Sequence, residues 1–294
     1  MDLPDSWASS ETVTLISEES SKLKNTRELI SSKYGLDHRE IVKKDLSYVA
    51  MPEILSAQYC VLSGNSHLLQ ISPALLAFWT YAISIYDTIS DNHLYKNGKP
   101  TFLKTYGKES VLIVEKIYKR AIRELSKQLE EEIPRATEII EEMYNSTIKW
   151  DRVRNSHVTS PNEAFLIQEN LAGKPAYNIA ILSNAEGLGT FSFHLVNAIT
   201  TLEDLIDLFH GEDFTEKKTT ITIAFLIEEF GSLIRDYNLI KKSFAISRTR
   251  NYIQDQISSS RRILSGYAPQ NRGLLLKFLD DMEQFNRRFP EEYM

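Results

Sequence analysis

The chain has 294 residues, is 42% hydrophobic and 25% charged, and carries a net charge of −6. This is a globular composition, long enough for one large domain or two small ones. With no basic face standing out, it argues against nucleic acid as a partner. The single cysteine, Cys60, excludes an internal disulfide framework and reads as a small apolar packing residue.

The start, MDLPDSWASSETVTLISEESS, lacks a basic n-region and a long apolar run, so it does not read as a secretory signal. No run of about 20 apolar residues stands out as a membrane span. The expectation is a cytoplasmic protein with no transmembrane segment. Residues 1–20 are polar and expected to be loose. Beyond them strand signals are scarce and apolar residues recur at i, i+3 and i+4. That spacing predicts helices over 20–33, 52–63, 71–91, 108–131, 134–155, 161–185, 190–210, 217–244, 249–265 and 271–287. Ser160-Pro161-Asn162-Glu163 has a helix start written into it, with serine as N-cap and proline at N1. No repeat, linker or low-complexity tract divides residues 21–294, which are expected to form one all-α domain.

Two acidic blocks interrupt this apolar pattern. Asp87 and Asp91, at i and i+4, close the helix predicted over 71–91, and a loop with Lys96, Gly98, Lys99 and Pro100 follows. In ITTLEDLIDLFHGEDFTEKKTTIT, residues 199–222, Glu203 and Asp207 stack one turn apart with Asp204 beside them. Like charges at this spacing destabilise an isolated helix by about 0.2–0.5 kcal/mol. A hard cation between them offsets that cost, since Mg²⁺ takes carboxylate oxygens and keeps waters or phosphate oxygens as its other ligands. A single acidic turn is more often just solvated. Two acidic faces, each followed by lysines, point instead to a metal–diphosphate site.

These blocks resemble the two aspartate-rich motifs of the trans-isoprenyl diphosphate synthases, an all-helical family of the class I isoprenoid synthases. The likeness runs from about Leu46 to Ile227. MPEILSAQYCVLSG, residues 51–64, is similar to the helix that opens on R-P-L-L. Lys174-Pro175-Ala176 is similar to the family's K-T-A or K-T-G, and Lys218-Thr-Thr-Ile-Thr to its G-K-P-T-I-T. The resemblance implies a single-domain isoprenoid-synthase helical bundle around a central apolar pocket, commonly a homodimer. It implies two or three Mg²⁺ ions, with Asp87, Asp91, Glu203, Asp204 and Asp207 as ligands. Lys96, Lys174 and Lys218 would then bind the diphosphate of an allylic prenyl substrate, and Asp87, Asp91, Lys174 and Asp204 would be the catalytic set. Ala82 falls at the position that forms the pocket floor, with Phe78 one turn deeper, which suits a C15–C20 substrate. An apolar product could bring such a protein to a membrane surface.

The departures are as informative. Thr88 replaces the second aspartate of the first motif, Asn97 stands in the arginine pair, and Thr200 replaces a glutamine before the second motif. The family holds a second substrate, isopentenyl diphosphate, with G-K-R-x-R-P and a histidine. Here the basic positions are Tyr48, Val49 and Met51, Pro52 is kept, and the histidine position is Thr80. Each charge-assisted bond to a diphosphate contributes about 1.5–3 kcal/mol, so losing four such groups removes most of that subsite unless Arg287 and Arg288 replace it. Three readings follow. One is a terpene synthase that ionises a single allylic diphosphate in a pocket of aromatic faces, from Phe78, Trp79, Tyr81, Tyr86, Tyr177, Phe191 and Phe193. Another is a trans-prenyl diphosphate synthase of farnesyl or geranylgeranyl type. The third is a noncatalytic regulatory subunit in a heteromer with an active synthase, but a silent subunit has no need of all the retained carboxylates and lysines. His93, His194 and His210 have no zinc spacing. Arg152 and Arg154 read first as surface ion-pair residues and second as diphosphate contacts.

Overall fold

Apolar side chains every three to four residues give helix almost throughout. The computed structural model describes residues 7–33, 51–90, 92, 94–96, 99–155, 160–210, 219–232, 236–268 and 272–289. The chain divides into two compact units, one built on Val13–Tyr144 and Ile179–Ala185, the other on Asp5–Thr12, Asn145–Asn178 and Glu186–Met294.

In the first unit, helix α1 spans Ser10–Lys33, α2 Met51–Leu62 and α3 Ser72–Ser90. A short antiparallel pair, β1 (Tyr95–Lys96) and β2 (Lys99–Pro100), leads into α4, Phe102–Leu129. Helix α3 packs between α2 and α4. Ala74, Leu75, Leu76, Ala77 and Phe78 are all buried, because a helix that is apolar all round must be covered all round. By length and composition Ser66–Ile89 could cross a membrane, its most apolar 18 residues having mean hydropathy 1.5, but 67% of those are buried inside the fold, as in a core helix. Helix α4 contains Gly107 in the left-handed region (φ 76°), a kink that falls where the helix was expected to begin. Thr101 caps the preceding turn by accepting from Lys104 N. Cys60 of α2 is buried beside residues 179–185. Its thiol reaches Ser183 O at 3.6 Å, and Ser56 bonds Ser183 through their hydroxyls at 2.8 Å.

Helix α5 spans Ala136–Arg154, and its last turns belong to the second unit. There α6 (Pro161–Gln168) starts as the sequence predicts, with Ser160 Oγ accepting from Glu163 N at 3.3 Å. The helix expected over 161–185 is not regular: a π-turn at Glu169–Gly173 separates α6 from α7, Lys174–Leu182. Helix α8, Gly189–His210, follows. The helix expected over 217–244 is broken twice. Helix α9 (Ile221–Phe230) ends on Gly231 in the left-handed region (φ 72°), α10 covers only Tyr237–Lys242, and α11 runs Phe244–Leu264. Helix α12 closes the described chain at Gly273–Arg288.

Helix α11 packs on α8, α9 and α12, and the π-turn packs on α8. On α11 the buried residues Ala245, Ile246, Thr249, Ile253, Ile257, Ser260 and Leu264 form one stripe. The beginning of the chain is tied to α12. Trp7 is buried edge-on to Phe278 with centroids 6.3 Å apart, and Ser9 N donates to Asp281 at 2.7 Å. Helix α1 therefore begins at Ser10, ten residues before the sequence pattern makes it visible.

Candidate active site

In the second unit the site grows from the contact between the π-turn and α8. A Cβ built on Gly173 would lie 2.4 Å from the Phe193 ring and 2.9 Å from Asn197 Nδ2, so only glycine lets the two backbones approach this closely. Gly189 repeats the device, where a Cβ would lie 2.5 Å from the Tyr177 ring. Ser192 Oγ donates to Ala176 O at 2.6 Å between the same two helices. The π-turn leads directly into Lys174, which is exposed and donates from Nζ to Asn170 Oδ1 at 2.8 Å. Such π-turns recur at functional sites because the wide turn re-aims the side chains that follow.

Helix α8 carries polarity along one face. Asn197, Thr200, Asp204 and Asp207 fall at i, i+3, i+7 and i+10. Glu203, Asp204 and Asp207 are half-buried, between the buried Leu202, Leu205, Ile206 and Leu208. Gln168 Nε2 donates to Thr200 Oγ1 across α6 and α8 and reaches Thr201 Oγ1 at 3.5 Å. Asn197 is fully buried, and among the described residues neither its amide nitrogen nor its amide oxygen has a hydrogen-bond partner. Burial pushes the Tyr252 hydroxyl up to about 12, with the Glu169 carboxylate of the π-turn adding to the shift.

In the first unit, Asp87 is half-buried in the last turn of α3. Nearby, Tyr144 donates to Glu115 Oε1 at 2.9 Å, and Glu115 also takes Lys119 Nζ at 2.8 Å. Burial, then the Glu115 carboxylate, then Tyr86 and Asp87 hold the Tyr144 hydroxyl well above the tyrosine range. Ala82 and Phe78 are fully buried. Phe78 stacks on Tyr118 of α4 at 5.8 Å, and lies nine residues from Asp87, on roughly the opposite face of α3. A small cavity of about 30 Å³ is lined by Tyr81, Ser84, Ile85 and Thr88 of α3 with Phe102 and Val111 of α4. Lys96 has its backbone in β1, paired with Lys99. Asp91, Lys218, His93 and Asn97 lie outside the described residues.

No protein-family model and no curated protein sequence matches the chain. Solved structures do. Polyprenyl synthase from Caulobacter crescentus CB15, complexed with calcium and isoprenyl diphosphate, matches with a TM-score of 0.73 over 95% of this chain and 98% of its own, at 16% identity. Decaprenyl diphosphate synthase from Rhodobacter capsulatus matches with a TM-score of 0.75 over 93% and 98%, at 14% identity. Geranylgeranyl pyrophosphate synthase from Corynebacterium glutamicum, complexed with isoprenyl diphosphate and magnesium, matches with a TM-score of 0.73 over 90% and 98%, at 14% identity. The chain has the isoprenyl diphosphate synthase fold.

Within that fold Lys174 opens α7 directly after the π-turn, and Glu203, Asp204 and Asp207 lie on α8, which the π-turn meets at Phe193 and Asn197. Among the described residues no three carboxylate, histidine or cysteine side chains converge to hold a metal ion by themselves. The donor set still suits Mg²⁺, a hard ion that is usually held by one or two carboxylates and takes its remaining oxygens from water and substrate phosphates. Sequence reasoning did not single out Gln168 or Asn197. The available signal was an asparagine seven residues before Asp204, on a helix otherwise apolar at that level.

Proposed function

We propose that the chain is a Mg²⁺-dependent isoprenoid synthase, one catalytic domain over 21–294, that ionises a single allylic prenyl diphosphate of the C15–C20 class. The observation that carries this reading is one helix, α8, that meets the π-turn before Lys174 at Phe193 and Asn197 and carries Glu203, Asp204 and Asp207 further along the face of Asn197. The preference for one substrate is supported by Met51, which stands at a basic position of the resembled motif and is 1% exposed, in the core rather than at a surface where it could meet a diphosphate. Arg287, a candidate replacement, is engaged with Glu283 at 2.5 Å.

Asp87 and Asp91, with Glu203, Asp204 and Asp207, would hold Mg²⁺, which supplies Lewis-acid stabilisation of the departing diphosphate. Lys174 and Lys218 bind the diphosphate oxygens as the C–O bond breaks, placing fixed positive charge where negative charge develops. Lys96 adds a third cation at the diphosphate. Aromatic faces stabilise the allylic cation, and a dry pocket bounded by Ala82 and Phe78 protects it from water. The proton lost at the end goes to the diphosphate. We expect a cytoplasmic homodimer.

A second reading, chain elongation with isopentenyl diphosphate, is favoured by the names of the matching structures, which are polyprenyl, decaprenyl and geranylgeranyl synthases. One experiment separates the two. Purified protein is incubated with Mg²⁺ and geranyl, farnesyl or geranylgeranyl diphosphate, with and without isopentenyl diphosphate. Pyrophosphate and a hydrocarbon or alcohol from one allylic substrate are expected. Longer diphosphates formed only with isopentenyl diphosphate would establish elongation instead. No turnover in any tube would leave the regulatory-subunit reading.

A further inference from the structure

We propose that Asn170 is a positioning residue for Lys174, holding its ammonium drawn back along the π-turn with the charge left uncancelled for a diphosphate. This deepens the proposed function and rests on Lys174 as a diphosphate ligand. Lysine is a point charge on a flexible stem, and an exposed one at a helix start samples many rotamers. Here Lys174 Nζ donates to Asn170 Oδ1 at 2.8 Å. Asn170 is itself fixed: it is 5% exposed, and its Nδ2 donates to Leu166 O at 2.7 Å, one turn further back. The reverse amide orientation would set oxygen against the Leu166 carbonyl and N–H against the ammonium, so the amide has one satisfied arrangement.

The direction of the hold matters. The chain through the π-turn runs antiparallel to α8: Gln168 bonds Thr200, Gly173 meets Phe193 and Asn197, and Ala176 O accepts from Ser192. A side chain drawn one turn back from position 174 therefore has its head towards the level of Thr200. That is the direction in which α8 carries Glu203, Asp204 and Asp207. The chemistry of the acceptor matters as well. A carboxylate at position 170 would hold the ammonium equally well but cancel its charge, whereas a neutral amide orders the side chain and leaves the charge in place. Among the described residues Lys174 makes no salt bridge. A lysine ordered before its ligand arrives loses less rotamer freedom on binding, which is the advantage of preorganisation.

The test is a double-mutant cycle on the full chain, read by titration calorimetry of inorganic pyrophosphate in the presence of Mg²⁺. Lys174→Met should weaken pyrophosphate affinity by about 10–100-fold, the loss of a charge-assisted bond. Asn170→Leu should weaken it by about 3–10-fold, because the lysine must then be ordered on binding. In the Lys174→Met background Asn170→Leu should have no further effect, since the amide acts through the lysine. Circular dichroism checks the fold of each variant; if Asn170→Leu does not fold, Asn170→Ala runs the same cycle. An equal loss from the Asn170 change in both backgrounds would make the amide a structural support of the π-turn and overturn the proposal. So would a wild-type affinity in the Asn170 variant. Both of those outcomes leave Lys174 as a diphosphate ligand. Wild-type protein that binds no pyrophosphate, or a Lys174→Met variant that binds it as well as wild type, would overturn the proposal together with the role of Lys174 in the proposed function.

Discussion

Helices α3 and α8 carry the two acidic blocks, and they treat polarity in opposite ways. In α3 the run from Ala74 to Phe78 is apolar and fully covered, and the described carboxylate, Asp87, waits until the last turn. Helix α8 has polar side chains through its length: Ser192, Asn197 and Thr201 buried, then Glu203, Asp204 and Asp207 half-buried. A polar group at a helix end keeps water within reach at little cost, whereas one inside the packed length must find a protein partner or lose stability. The fold uses the apolar run of α3 as core. It does not need the polarity of α8, so that helix is the stronger marker of chemistry.

The largest expected effect tests whether both helices work. Asp204→Asn and Asp87→Asn, measured by Mg²⁺-dependent pyrophosphate release from an allylic diphosphate, should each lower turnover by about 100–1,000-fold. The far-ultraviolet circular dichroism of both variants should match wild type. If Asp87→Asn keeps full activity while Asp204→Asn does not, the acidic end of α3 is a solvated turn and the comparison collapses onto α8 alone.

Next comes the packing that sets α8 against the π-turn. Gly173→Ala forces its new carbon into the space of the Phe193 ring at 2.4 Å and Asn197 Nδ2 at 2.9 Å. Overpacking of this kind costs about 1–3 kcal/mol, read as a lower midpoint in urea unfolding. Gly266→Ala is the control, since the nearest atom to a Cβ there is Ile263 O at an ordinary 3.5 Å. Equal midpoints for the two variants would mean that the π-turn contact is loose.

Much of this was legible in the sequence. The all-α class and the helices over 71–91 and 190–210 follow from apolar periodicity, and Ser160-Pro161 announces α6. The π-turn was not legible, because its residues Glu169–Gly173 fit a regular helical pattern and their irregularity arises from packing on α8. The break at Gly231 had a local signal in the glycine itself, which the long amphipathic pattern on either side outweighed. The start of α1 was hidden for a different reason: SETVTLISEESS is polar, and its place is supported by Trp7 and Ser9 on α12, contacts nearly the whole chain away. In the site, carboxylate spacing revealed the acidic face of α8. The Gln168–Thr200 bond joins residues 32 apart and was invisible without the fold.

A smaller effect belongs to the first unit. Burial pushes the Cys60 thiol up to about 12 from 9.0, although hydrogen bonds with Ser183 and Ser56 pull the other way. A raised thiol pKa means that the folded state favours the protonated form. The stability this contributes is fully present below pH 9 and is lost as pH rises towards 12. Native protein at pH 8 should therefore resist alkylation at Cys60 until urea opens it. Cys60→Ala should flatten the fall of stability between pH 9 and 11. Rapid native alkylation would show that the α2 contact with 179–185 opens easily.

The smallest expected shift is the most discriminating for α8. Asn197→Leu changes side-chain shape little but removes an amide that has no hydrogen-bond partner among the described residues. Removing an unsatisfied buried amide contributes roughly 1–2 kcal/mol of stability. If the polar face exists for chemistry, the variant should be more stable and have a lower kcat or an altered product ratio, because its stability was limited by a group kept for function. A gain in stability with unchanged turnover and products would make Asn197 a packing flaw. A loss of stability would mean that the amide finds a partner in the folded protein. Only the first outcome keeps the polar length of α8, rather than its acidic tip alone, as part of the site.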